Sequence, residues 1–149
     1  IYAEDRKITG VLIEHSLSGE TLARTIVGIG INVNQRSFPD DLPNPTSMAI
    51  ERGRTFDRRA VLELFSERLG ELYSALERGD KRLIESRYRQ AMYHLDTPAT
   101  YAYPSGERFE ATIRGVRPSG ELRLEHCDGT IREYAFKEVE FVLPHKEGR

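Results

Sequence analysis

The segment TIVGIGINVN, Thr25 to Asn34, holds the residues best suited to receive a ligand. At the two-residue period of a β-strand, Val27, Ile29, Ile31 and Val33 fall on one face, and Gly28, Gly30, Asn32 and Asn34 on the other. Glycine weakens a strand, because it loses more backbone entropy on folding than any other residue and brings no side chain to pack. A face stripped of side chains therefore needs a reason beyond the strand itself. It makes a bare patch of ligand size, ended by two carboxamides that each carry donors and an acceptor.

Other chemistry is sparse. Cys127 is the single cysteine, which excludes an internal disulfide and any zinc site built from several thiolates. His15, His94, His126 and His145 stand in separate segments at no ligand-like spacing and read as ordinary surface or turn residues. The 22 basic and 24 acidic residues are spread along the chain, with a net charge of -2, so there is no basic footprint and nucleic acid is not an expected partner. No apolar run approaches the roughly 18 residues of a membrane helix. With 38% hydrophobic and 31% charged residues, a soluble, cytoplasmic globular protein is expected. The sequence opens IYAED, without initiator Met or signal peptide and in mid-strand, which reads as part of a longer protein.

The elements that would carry the bare patch follow from pattern. KITGVLIE (7–14) and TIVGIGINVN read as two buried strands of a hairpin around HSLSGET. A turn centred on Gly19 would set Gly10 near Gly28 and extend the patch across both strands. QRSFPDDLPNPTSMAIERG follows as a proline-broken loop just past the strand end. Asp57 caps a long helix whose Val61, Leu62, Phe65, Leu69, Leu72, Tyr73 and Leu76 form one apolar stripe for core packing, and Gly79 ends it. A second helix is expected from about Asp80 to Met92, with Leu83, Ile84, Tyr88 and Met92 inward. From Thr97, short alternating segments punctuated by PSG, PSG and CDG predict about five antiparallel strands, the size of a small closed or nearly closed barrel. The fold class is α+β, a mixed or antiparallel sheet with packed helices over residues 1–95, then the small barrel over 96–149, the boundary lying near His94 to Pro98.

IYAEDRKITGVLIE, TIVGIGINVN, PTSM, two helices and GVRPSGELRLEHCDGTIREY, in that order, resemble the C-terminal half of biotin protein ligases. The most specific parts are the R-K-I-x-G-x-L-x-E and G-I-G-I-N-V-N strands at their separation. The resemblance implies a class II synthetase-like catalytic core followed by an SH3-like barrel. It implies a two-step reaction, in which biotin and ATP, with Mg²⁺, give biotinyl-adenylate, and a lysine of a biotin carboxyl carrier protein then takes the biotin. On this resemblance Gly10, Gly28, Gly30 and Ile31 contact biotin, Asn32 hydrogen-bonds adenine, and Thr46 and Ser47 lie near the nucleotide, with turn capping as their plain alternative. Lys7 is the one candidate for a catalytic role, weighed against merely orienting the strand end. The family's Lys-Trp-Pro-Asn-Asp motif and its Arg- and Gly-rich phosphate loop are absent from these residues, so the chain is expected to carry part of a site and not to form the adenylate alone. No metal ligands are assigned.

Two other readings stand beside this one. The piece could be a non-catalytic binding or assembly module, with strand edges that pair two copies into a homodimer. It could also be a lipoate ligase-like acyl-adenylate enzyme, which shares the architecture and the chemistry.

Overall fold

The computed structural model of the chain describes residues 1–19 and 21–143, arranged in two compact units, Ile1–Leu69 and Gly70–Arg149. The class is α+β, and among the described residues the paired strands run antiparallel, with isolated parallel bridges at Lys7–Pro45 and Leu95–Ile113. In the first unit β1 (Tyr2–Ala3) turns into β2 (Arg6–Lys7), and β3 (Thr9–Ser18) with β4 (Thr21–Ile31) forms a long hairpin.

The hairpin register corrects the one expected from the sequence. Gly10 stands opposite Gly30, and Gly28 opposite Leu12. The two-residue turn pairs Ser18 with Thr21, and an irregularity between Ser16 and Leu17 places one further residue on β4. Together these displace the pairing by two positions, an even number, so every side chain keeps its predicted face. Burial differs from expectation more deeply. Apart from Thr9, no described residue of the hairpin is buried: Leu12 is 65% exposed, and Val11, Ile13, Val27 and Ile29 are exposed as well.

The proline segment is not wholly irregular. It contains a helical turn, α1 (Met48–Arg52), capped by Ser47, whose hydroxyl accepts from the Ile50 N–H, and closed by Gly53 in the left-handed region. The long helix α2 (Arg58–Glu77) starts as predicted, with the Arg59 N–H bonded to Asp57 Oδ1 at 2.8 Å. It ends at Gly79 (φ 71°), where the Gly79 and Asp80 amides return to the Leu76 and Ala75 carbonyls. The stripe expected to pack into a core does not do so here. Leu62, Leu69, Leu72, Tyr73 and Leu76 are exposed, Val61 and Phe65 half-buried, and Ala75 alone in the helix is buried. The following helix, α3 (Lys81–Gln90), is capped by Asp80 and is shorter than expected, with Leu83 and Tyr88 exposed.

The described residues of the second unit carry five strands, as the alternating segments predicted: β5 (Pro98–Ala102), β6 (Arg108–Val116), β7 (Leu122–His126), β8 (Ile131–Tyr134) and β9 (Glu140–Phe141), in the order β8-β7-β6-β5-β9. Three of the turns share one geometry. In YPSGE, RPSGE and HCDGT the glycine N–H returns to the carbonyl three residues before it, and the first residue's N–H bonds the carbonyl of the fifth. Gly106, Gly120 and Gly129 sit at φ of 88°, 107° and 80°, a region that disfavours a Cβ. The core is Tyr101, Ala111, Ile113, Leu124 and Tyr134, with Met92 and Leu95 packed against it. Arg89 joins α3 to the sheet through the Arg114 carbonyl and Asp96, and Arg114 in turn reaches Asp96 and Glu125.

Two core tyrosines make a matched test of buried hydroxyls. Tyr134 Oη lies 2.8 Å from His126 Nε2 and 3.2 Å from Tyr103 Oη, whereas the buried Tyr101 hydroxyl has no hydrogen-bond partner among the described residues. Tyr134→Phe should therefore destabilise by about 1 kcal/mol, and Tyr101→Phe should be neutral or stabilising, because it removes a desolvated group that bonds nothing. Burial, helped by Glu110, pushes the Tyr101 phenol up to about 12; burial, then the bond with Tyr103, does the same for Tyr134. An unfolded tyrosine ionises near 10, so across that interval the unfolded chain holds fewer protons and stability falls as pH rises. Denaturant midpoints measured on either side of that window should show the fall, and Tyr101→Phe should make it shallower.

Candidate functional site

Directly opposed residues of an antiparallel pair share a face, so the register gathers Gly10, Gly28 and Gly30 with Leu12 on one side of the hairpin. A Cβ at Gly10 or Gly30 would meet nothing within 4 Å, and one at Gly28 would reach only Leu12, at 4.0 Å. None of the three has a positive φ. Neither backbone conformation nor packing within the described residues calls for glycine there. Ile31, grouped with these glycines on sequence grounds, pairs with Thr9, and its side chain belongs to the opposite face.

Asn32 continues the glycine face just past the end of β4 and is held on three sides. Its N–H donates to the Ile8 carbonyl (2.9 Å), its carbonyl accepts from the Met48 N–H (3.0 Å), and its Nδ2 donates to the Thr46 carbonyl (3.0 Å). A carboxamide has two N–H donors and a carbonyl acceptor, so one N–H and Oδ1 remain for a further partner. Asn34 differs. Its Oδ1 accepts from the Phe56 N–H at 2.9 Å and its Nδ2 donates to the Phe56 carbonyl at 2.8 Å, so the side chain acts as a strand partner that closes the loop 35–55. The two amides of the motif thus have different employment: Phe56 takes the oxygen and one N–H of Asn34, whereas only one N–H of Asn32 is taken.

Thr46 and Ser47 are fully buried. Ser47 Oγ donates to the Gln35 carbonyl at 2.5 Å and caps α1, while the Thr46 hydroxyl donates to Glu51 Oε1. Glu51 Oε2 receives Arg6 Nη2 at 2.7 Å. The Thr46 N–H bonds the Lys7 carbonyl, and the Lys7 N–H bonds the Asn44 carbonyl, which lays the end of the proline loop beside β2. Lys7 contributes backbone to this frame, and the residue is exposed. Arg6 and Glu51 were not anticipated, nor was the bonding of Asn34 to Phe56. Arg6 and Glu51 are 45 positions apart, and only the Ser47 to Gly53 cap pattern hinted that Glu51 sat on a helical turn.

The remaining candidates stay apart from this frame. His15 bonds Thr25 on the exposed hairpin, His126 bonds Tyr134, His94 packs on the rings of Tyr93 and Phe141, and His145 lies outside the described residues. Cys127 is exposed in its turn. Among the described residues no group of three His, Cys, Asp or Glu side chains could hold a metal ion, and no helix is long and apolar enough to cross a membrane. A cleft of about 620 Å³ in the first unit is lined by Ile8, Met48, Glu51, Arg52, Arg54 and Phe56 among others, with none of Gly10, Gly28, Gly30 or Asn32 in its wall. The open glycine face and the Asn32 amide beyond it thus lie outside this cleft.

No family model matches the chain. Among individual proteins, the bifunctional ligase/repressor BirA of Salmonella typhimurium is 30% identical over 142 residues, which cover 93% of this chain and 43% of BirA. The chain therefore spans less than half the length of the curated relatives it matches. Two solved structures of the biotin protein ligase of Aquifex aeolicus share the fold. The apo form has a TM-score of 0.73 at 24% identity, covering 96% of this chain and 62% of that one. The complex with biotin and ATP has a TM-score of 0.72 at 25% identity, covering 96% and 59%. Over more than nine-tenths of its length, in sequence and in fold, the chain resembles the biotin protein ligases.

Proposed function

We propose that this chain supplies the biotin floor and the adenine-reading amide of a biotin protein ligase. The observation that carries the reading is the face of Gly10, Gly28 and Gly30, which is open to added atoms and runs into an Asn32 amide with a donor and an acceptor to offer. A flat bicyclic ligand can lie against backbone there, since the three glycines raise no side chain and Leu12 stands at the border of the patch. Asn32 then meets the N6 amine of adenine with Oδ1 and the adjacent ring nitrogen with its second N–H.

In the reaction this supports, a carboxylate oxygen of biotin attacks the α-phosphorus of ATP and pyrophosphate leaves. A lysine amine of a biotin carboxyl carrier protein then attacks the acyl carbon, and AMP leaves as the amine gives up a proton. What this chain offers is orientation of two ligands along one surface. Thr46 and Ser47 serve the nucleotide through the frame around Asn32, and Lys7 stands beside it as the candidate cation. Mg²⁺ would arrive with the nucleotide as part of the substrate, and no step is assigned to it. The second unit, with its five antiparallel strands, would be the SH3-like domain of such a ligase.

The test is biotin-dependent release of pyrophosphate from ATP by the full-length protein, followed by transfer of label to a carrier domain. Pyrophosphate release with lipoate but not biotin would move the reading to a lipoate ligase. One observation favours an assembly role instead: Val11, Ile13, Val27 and Ile29 form an exposed apolar face of the hairpin. Sedimentation of the full-length protein as a dimer, with no ligand-dependent chemistry, would support that alternative.

A further inference from the structure

Glu51, a residue that the proposed function does not use, has both carboxylate oxygens engaged. It is 17% exposed at its side chain and both oxygens are occupied, Oε1 by the buried Thr46 hydroxyl and Oε2 by Arg6 Nη2 at 2.7 Å. Thr46 is the residue whose carbonyl receives Asn32 Nδ2. Its N–H is bonded to the Lys7 carbonyl, so Thr46 is fixed through its amide, its hydroxyl and its carbonyl at once. Arg6 is adjacent to Lys7 on β2. Glu51 therefore closes a ring from β2 through α1 to the residue that aims Asn32.

The terminal torsion of an asparagine side chain is broad and roughly two-fold, so something must specify which way the amide points, and its two ends are chemically opposite. Only an N–H can face the Thr46 carbonyl, so that bond decides which edge of Asn32 is presented. The bond holds its geometry only while the Thr46 backbone is held. A charged acceptor does this better than a neutral one, because hydrogen bonds to ionised groups are shorter and stronger.

We infer that Glu51 is a positioning residue for nucleotide selectivity: through Thr46 it fixes the orientation in which Asn32 meets the purine. This rests on the proposed biotin ligase reading, and it concerns a residue that touches no ligand. Removing the Glu51 carboxylate should act on the base and not on biotin, since the glycine floor is built by β3 and β4 alone.

The experiment uses the full-length protein with Glu51→Ala, Glu51→Gln and Thr46→Val. Wild type is first assayed for biotin-dependent pyrophosphate release, which tests the underlying reading by itself. Absence of that activity in folded wild-type protein overturns both the reading and this inference. With the activity in hand, Glu51→Ala should raise the KM for ATP about tenfold and narrow the ratio of kcat/KM for ATP over GTP by a similar factor, with the biotin Kd changed less than about twofold. Glu51→Gln retains an acceptor for the Thr46 hydroxyl and should recover most of the loss. Thr46→Val should reproduce the alanine phenotype, and the double variant should be no worse than either single change, as expected of groups acting in series. If ATP and biotin parameters decline together at an unchanged ATP to GTP ratio, Glu51 is merely structural and the inference is wrong. Should Glu51→Ala fail to fold, Glu51→Gln and Thr46→Val decide on the same ratio.

Discussion

Gly30→Val should weaken biotin binding by about tenfold to a hundredfold in the full-length protein while its melting temperature stays near that of wild type. The position is next to the last residue of β4, opposite Gly10, its φ is not positive, and a Cβ built there meets nothing within 4 Å. The chain itself thus has room for an isopropyl group, and a β-branched residue is at home in a strand. What the group would displace is a ligand lying on the backbone. Calorimetric titration with biotin beside a thermal melt separates the two effects. Should the melt collapse while the remaining folded protein binds biotin normally, the bare face serves packing and the floor assignment is wrong. Gly28→Val is a less clean version, because Leu12 stands opposite and would share the strain.

That the glycine face could be found at all reflects how directly local geometry is written in spacing. Alternation in TIVGIGINVN placed each side chain on its face whatever the register, because the period is two and the bulge and turn together shifted pairing by an even step. The three turns of the second unit were equally legible, each needing one residue at positive φ and each supplying glycine. Helix ends at Asp57, Gly79 and Asp80 follow the same logic of satisfying unpaired backbone groups. Burial was not legible. An apolar stripe says which face of α2 or the hairpin avoids water, but whether anything covers it depends on atoms that periodicity does not describe, and Leu62 and Leu12 remain exposed. α1 was missed because five residues are too few to establish a helical period, and the prolines beside it argue for loop. The frame around Asn32 was hidden for another reason. Its members come from β2, the strand end and α1, and only the folded chain brings Arg6, Thr46 and Glu51 together.

Asn32→Ala should cost nucleotide affinity about 1–3 kcal/mol and leave biotin affinity nearly unchanged. Two interactions are lost, and they have different signatures. The bond from Nδ2 to the Thr46 carbonyl lies within the protein, so its removal lowers stability modestly and appears in a melt without any nucleotide present. The second N–H and Oδ1 are the groups assigned to the base, and their removal appears only as a change in nucleotide discrimination. A purine carrying a carbonyl at position 6 and a protonated ring nitrogen would confront Asn32 with acceptor against acceptor and donor against donor, leaving buried polar groups unmatched on both sides. Without the side chain that penalty disappears along with the gain, so GTP should lose less than ATP and the ratio of their specificity constants should narrow. The backbone N–H and carbonyl of residue 32 stay bonded to Ile8 and Met48 in the variant, so the strand end has reason to keep its path. The decisive pair of measurements is the kcat/KM ratio for ATP and GTP together with the biotin Kd. If ATP and biotin affinities fall in parallel at constant ratio, Asn32 supports the Thr46 turn and some other group reads the base. If the ratio narrows with biotin binding intact, the Asn32 amide, which the fold engages through one N–H, is completed by the nucleotide.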